Sequence, residues 1–120
     1  MVADLARKTK APIRFEPWHG VYRIPSGIHL LVNATSIGLY PDVDAMPPVD
    51  WSAASSGMLV SDAVPNPPET RLLREARRLG LPVLDGLSML VHQGAIGFRM
   101  WTGQAAPEGI MKAALRDAFA

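Results

Sequence analysis

The run Asp85-Gly86-Leu87-Ser88-Met89-Leu90-Val91-His92-Gln93-Gly94-Ala95, continuing through Phe98 to Trp101-Thr102-Gly103, constrains the fold more than any other part of the chain. Leu87, Met89, Leu90, Val91, Ala95, Ile96, Phe98, Met100 and Trp101 put apolar side chains nearly all the way round a helix. That pattern predicts a helix covered on several sides, not an amphipathic helix lying on a surface. Ser88 is placed to cap it. Gln93 needs a reason in such a setting, because a buried amide without hydrogen-bond partners costs roughly 1–3 kcal/mol. A neighbouring carbonyl would supply a partner, and so would a ligand rich in hydroxyls or carrying a carboxylate.

The remaining segments alternate between strand-like and helix-like patterns, which predicts an α/β layer structure with a mostly parallel sheet. Ala3 to Lys8 reads as the end of a helix. Candidate strands are Ile13 to Trp18, Ile28 to Val32 between Gly27 and Asn33, Met58 to Val64, and the short Pro82 to Leu84. Leu72, Leu73, Ala76 and Leu79 recur at helical spacing, with Thr70 at the N-cap and Gly80 as the stop. Pro107 suits the first turn of a last helix, whose Ile110, Met111, Ala114, Leu115 and Ala118 form one stripe.

At 120 residues, 48% hydrophobic and 19% charged, with net charge +1, the chain is expected to form one domain. Nothing in that balance favours nucleic acid or a membrane surface. There is no cysteine, hence no thiolate nucleophile or thiolate metal site. With no signal peptide or membrane-length apolar run either, a cytoplasmic setting is expected. The three histidines, His19, His29 and His92, lie 10 and 63 positions apart without metal-ligand spacing. Asp42, Asp44 and Asp50 fall in a Pro-rich loop and read as solvated turn carboxylates. Ser26, Ser36 and the Ser52 to Ser56 group lack a nucleophile elbow. Arg71, Arg74, Arg77 and Arg78 share one helix, where a charged outer face, with Arg71 and Glu75 at favourable spacing, is the ordinary outcome.

Placed on these elements, Asn33-Ala34-Thr35, the run after Val64 and Asp85-Gly86 all sit at the carboxyl ends of strands, where ligands of open α/β sheets bind. Three blocks resemble the shikimate dehydrogenase family in order and spacing. Asn33-Ala34-Thr35-Ser36-Ile37-Gly38-Leu39 is similar to its Asn-Ala-Thr-x-x-Gly-Met loop. Asp62-Ala63-Val64-Pro65-Asn66-Pro67-Pro68-Glu69-Thr70 is similar to its Asp-x-x-Tyr-x-Pro-x-x-Thr block, and the Asp85 to Gly103 run to its C-terminal signature. The similarity covers about residues 28 to 119.

The resemblance implies a partial, Rossmann-like, doubly wound and mostly parallel sheet without its first two strands, followed by C-terminal helices. Residues 1–120 would form a single NADP-binding-like domain. The substrate domain with its catalytic Lys and Asp, and the glycine-rich dinucleotide turn, have no counterpart here. The implied function is the cofactor-side half of an NADP-dependent oxidoreductase of aromatic amino acid biosynthesis, interconverting 3-dehydroshikimate and shikimate and inactive alone. By the same resemblance, Asn33, Ala34, Thr35, Gly86, Met89 and Leu90 would lie along the nicotinamide half of NADP, and Gln93 would reach the hydroxyls of shikimate or a related acid. No catalytic residue and no metal ligand is implied. Read from the residues alone, Asn33 and Thr35 also suit a plain turn, Met89 and Leu90 a core, and Gln93 a bond to a carbonyl.

Three positions depart from the family pattern. Pro65 stands in place of a tyrosine whose hydroxyl contacts the substrate end of the site, Leu39 replaces a methionine, and Pro68 stiffens the following loop. A sheet without its inner strands also needs cover. Ile13 to Trp18 pairs with Ile28 to Val32, or lies elsewhere, or another chain supplies the edge, so a homodimer or a partner chain is expected. The alternative function is a non-catalytic remnant acting as a binding or oligomerisation module.

Overall fold

A computed structural model describes residues 1–119. Its elements are α1 (Val2–Thr9), β1 (Tyr22–Arg23), β2 (Leu30–Asn33), β3 (Val49–Asp50), β4 (Leu59–Asp62), α2 (Arg71–Arg78), β5 (Val83–Leu84), α3 (Leu87–Thr102) and α4 (Glu108–Ala118). Two parallel sheets result. One has the order β2-β4-β5, and the other joins β1 to β3. The α/β class and the parallel sheet agree with the sequence reading.

The expected strand at Ile13 to Trp18 does not form. Residues 10–20 contain no strand, and every side chain from 11 to 20 is exposed. Pro12 and Pro17 lack amide donors, and no neighbouring strand offers a ladder. Instead Tyr22 and Arg23 pair with Val49 and Asp50. Arg23 Nε donates to Asp50 Oδ2 at 3.2 Å, and Ser52 N donates to Asp50 Oδ1 at 2.9 Å. The Ser52 amide, its hydroxyl and then Arg23 hold the Asp50 carboxyl below its ordinary value.

The core lies on one face of the β2-β4-β5 sheet. In the register Leu31↔Val60↔Val83, the side chains point toward α2, whose Leu72, Leu73 and Ala76 are buried with Ile24, Met58 and Leu81. Helix α2 forms where the local signals place it. Thr70 Oγ1 accepts from Leu73 N at the N-cap. At the other end Gly80, at φ 75°, lets its own amide reach Arg77 O and the Leu81 amide reach Ala76 O, the double bond of a Schellman stop. The four arginines form an outer face. Arg78 pairs with Glu75 and Arg77 with Glu69, while Arg71 donates to Asp44 O instead of meeting Glu75.

The opposite face is bare. Leu30, Val32 and Leu84 alternate with the core residues and stay about half exposed. A parallel sheet ordinarily has both faces covered. Between β2 and β4 the one regular element among the described residues is β3, which packs through Val49 on the covered side.

Helix α3 also departs from expectation. Leu87, Val91 and Ala95 are buried, whereas Met89, Gln93, Ile96, Met100 and Trp101 are exposed, Trp101 at 87%. The all-round apolar pattern is therefore covered on one side, by α4. Gly94 permits the approach, since a Cβ there would lie 3.0 Å from Met111 Cε. Ser88 does not cap α3; Gly86 holds the N-cap position and Ser88 Oγ accepts from Lys112 Nζ at 3.1 Å. Pro107 is the N-cap residue of α4, one position before its first turn. Of the expected α4 stripe, Met111 and Leu115 are half-buried and Ile110 is exposed. The radius of gyration, 16.8 Å, exceeds the roughly 13.6 Å of a compact domain of this length, as one-sided layers require. Among the described residues no helix is long and apolar enough to cross a membrane.

Leu73 has no exposed surface. Leu73→Ala is expected to destabilise the domain by about 3 kcal/mol, seen in urea unfolding as a lower midpoint with an unchanged slope.

Candidate functional site

The carboxyl ends of β2, β4 and β5 converge on a buried carboxylate. Asp62, the last residue of β4, is 1% exposed. Its Oδ1 accepts from Asn33 Nδ2 and from Val64 N, both at 3.0 Å, and its Oδ2 accepts from Thr70 Oγ1 at 2.6 Å. A buried charge is tolerated only when its lone pairs are matched in this way. No buried side-chain nitrogen or oxygen among the described residues lacks a partner.

Asn33 carries the network into the loop after β2. Its Nδ2 also donates to Ile37 O at 3.2 Å, and its Oδ1 accepts from Thr35 N and Thr35 Oγ1 at 3.1 and 2.7 Å. Every donor and acceptor of the amide is used. Ile37 N then donates to Thr35 Oγ1. Both loops are tied again where Tyr40 N donates to Asn66 O at 3.0 Å.

Gly86 sits against the other side of the β4 exit. A Cβ there would lie 2.7 Å from Ala63 O and from Val64 O, so this position accepts glycine alone without a backbone shift. Asp85 Oδ1 accepts from Leu87 N at 3.1 Å and starts α3. Between these elements lies a cleft of about 220 Å³, with Asp62, Asp85 and Gly86 at its base and Val32, Leu84 and Met89 as apolar walls. Its size is below the roughly 300–1,000 Å³ of sites that enclose a whole drug-sized ligand. It suits one flat ring and not a full dinucleotide.

Of the seven residues expected from sequence, Gly86 and Met89 line this cleft, and Asn33 meets it through Asp62. Ala34 and Thr35 lie in the exposed loop beyond Asn33. Leu90 is half-buried outside the cleft. Gln93 is exposed and also outside it, which overturns the expectation of a buried amide: no element among the described residues covers that side of α3. Asp62 is the site residue that sequence reasoning missed. Its one signal in the sequence is its place as the first letter of a motif.

A second, smaller cleft of about 160 Å³ lies between α3 and α4, where His92 Nε2 is 3.6 Å from Glu108 Oε2 beside the Ser88–Lys112 bond. Among the described residues, no group of three or more His, Asp or Glu is arranged to hold a metal ion.

Residues 86–116 match the shikimate 5'-dehydrogenase C-terminal domain. The shikimate dehydrogenase (NADP(+)) of Symbiobacterium thermophilum is 42% identical over 118 residues, 95% of this chain and 40% of that protein. Among solved structures, 5-ketofructose reductase of Gluconobacter sp. strain CHM43 superposes with a TM-score of 0.75 at 44% identity, covering 85% of this chain and 36% of that one. Shikimate 5-dehydrogenase from Thermus thermophilus, in complex with NADP(H) and shikimate, gives 0.64 at 43% identity, covering 75% and 34%. The chain spans between 30 and 41% of the length of the curated relatives it matches.

Gly86→Ala is expected to lower stability by roughly 1–3 kcal/mol through overpacking against two carbonyls. Chemical denaturation measures it, and a loss below about 0.5 kcal/mol would rule out the close packing at this turn.

Proposed function

The chain belongs to the shikimate dehydrogenase family, matching its C-terminal region, and on that premise we propose that it is the cofactor-side half of an NADP-dependent oxidoreductase acting on a small polyhydroxylated substrate in the cytoplasm. One observation carries the reading: Val32 near the end of β2, Asp62 at the end of β4, and Gly86 and Met89 after β5 line one cleft at the carboxyl edge of a parallel sheet, with Asn33 bonded to Asp62 beside it. Val32, Leu84 and Met89 offer an apolar wall to the nicotinamide ring, and Asn33-Ala34-Thr35 lies on the approach. NADP supplies the hydride when bound. The ionisable groups of the cleft are already engaged, Asp62 with three donors and Asp85 with the start of α3. Proton transfer therefore falls to groups outside residues 1–120, and this half is inactive by itself.

The substrate follows the relatives: shikimate or a similar hydroxy acid, or a keto sugar as the name of the Gluconobacter enzyme suggests. Pro65 brings no hydroxyl to the substrate end, which lessens the demand for a cyclic acid. Gln93, exposed on α3, reaches substrate only when a second body closes over it. The bare sheet face and the stripe Met89, Ile96, Met100 form the surface for that body, either a second copy or a chain carrying the rest of the enzyme. The same surface favours one further reading, a non-catalytic module that associates without binding nucleotide.

Calorimetric titration with NADPH is expected to give saturable binding that Met89→Glu weakens at least about tenfold, or roughly 1.4 kcal/mol. Gln93→Ala should leave NADPH affinity unchanged and lower only the affinity for shikimate or 5-ketofructose. No NADPH binding at millimolar concentration would overturn the reading in favour of the association module.

In light scattering at micromolar concentration the chain is expected to be dimeric or larger, and Met100→Lys with Trp101→Lys to shift it toward monomer. A monomeric parent chain would count against this use of the apolar face.

A further inference from the structure

We propose that Asp62 is a positioning residue that makes the three strand-end loops of the cleft a single mechanical unit, so that nucleotide contact on one loop is transmitted to the others. The proposal rests on the nucleotide-binding reading for its ligand, but its physical core is independent of it.

The bonding is asymmetric in a way that simple packing does not require. Asp62 takes one donor from Asn33 at the end of β2, one from its own exit and one from Thr70 at the N-cap of α2. Asn33 Nδ2 must face Asp62, because the reversed amide would set two oxygens against each other; this fixes Asn33 Oδ1 toward Thr35. Thr70 donates its only proton to Asp62 and so presents a lone pair to Leu73 N, the capping bond of α2. The Val64 bond sets the exit of β4, and the Ala63 and Val64 carbonyls of that exit are those that Gly86 abuts. Loosening any spoke frees the orientation of the others, since each shares the same carboxylate. Ligand held by Asn33-Ala34-Thr35 on one side and by the Gly86 turn on the other would therefore meet one coupled surface.

The test is amide hydrogen exchange by NMR on the full chain, with NADPH titrated into the same samples. Thr70→Val removes the spoke to α2 alone. Exchange at Thr35, Ile37 and Val64 is expected to quicken about tenfold, the scale of one lost charge-assisted hydrogen bond. The ladder amides of Leu59 and Val60 should hold their protection, and NADPH affinity should fall by a similar factor. Thr70→Ser, which keeps the hydroxyl, should restore both. A change confined to Leu73, or an equal rise at the ladder amides, would overturn the proposal, reducing Thr70 to a helix cap or Asp62 to general stability. Asp62→Asn should quicken the same three loop amides more strongly; if it does not fold, the threonine pair decides alone. Failure of the parent chain to bind NADPH would defeat the nucleotide reading, while the exchange pattern would still decide whether Asp62 couples the loops.

Discussion

One buried carboxylate organises this domain. Asp62 ends the central strand, and without this acceptor the Asn33 amide at the end of β2 and the Val64 amide and Thr70 hydroxyl of the β4–α2 connection would compete for carbonyls. A single neutral acceptor would not satisfy three donors from three directions; a carboxylate offers about four lone-pair sites. Desolvating it is tolerable because each bond to a charged acceptor is worth more than its neutral counterpart. The cap of α2, the position of the Asn33 loop and the close seat of Gly86 then follow from where that carboxylate lies.

The second constraint is one-sidedness. The β4-α2-β5 unit places its helix over one face and supplies Val60, Leu72, Leu73, Ala76 and Leu81 of the buried apolar cluster. The connection from β2 to β4 brings only β3 among the described residues, and on the same side. Leu30, Val32 and Leu84 consequently form a face with the composition of a core and the exposure of a surface. Helix α3 repeats the pattern, buried through Leu87, Val91 and Ala95 and bare through Met89, Ile96 and Met100. The edge of β2 carries no proline and no charged residue that would discourage another strand.

These two constraints explain what the sequence reveals. The bounds and buried side of helix α2 are legible, because Thr70, the spacing of Leu72, Leu73 and Ala76, and Gly80 are local signals, whereas Leu79 stays exposed at the C-cap and Arg71 turns to Asp44 O instead of Glu75. The cores of β2 and β4 are legible for the same reason. The two-residue strands β1 and β3 are not, since their pairing bridges 27 positions and rests on tertiary fit. The apolar circumference of α3 is legible as a pattern; what covers it is not, because periodicity reports which residues want burial and not whether a partner is present. The Asn33 and Gly86 positions follow from motif resemblance, yet the dependence on Asp62 joins residues 29 and 8 positions distant, with no periodic trace.

Met89 belongs to both the cleft and the uncovered surface. It is an apolar wall of the cleft and also the first residue of the bare α3 stripe, 53% exposed. A ring seated in the cleft gains contact with Met89 on one side only, and water keeps the other. Anything that covers Ile96 and Met100 extends over Met89 as well, dries that edge and strengthens every polar interaction at the strand ends by lowering the local dielectric. On the proposed reading, covering the apolar face and completing the cleft are the same physical event, and Gln93, set between Met89 and Ile96 on that stripe, is the polar group that such closure would carry inward.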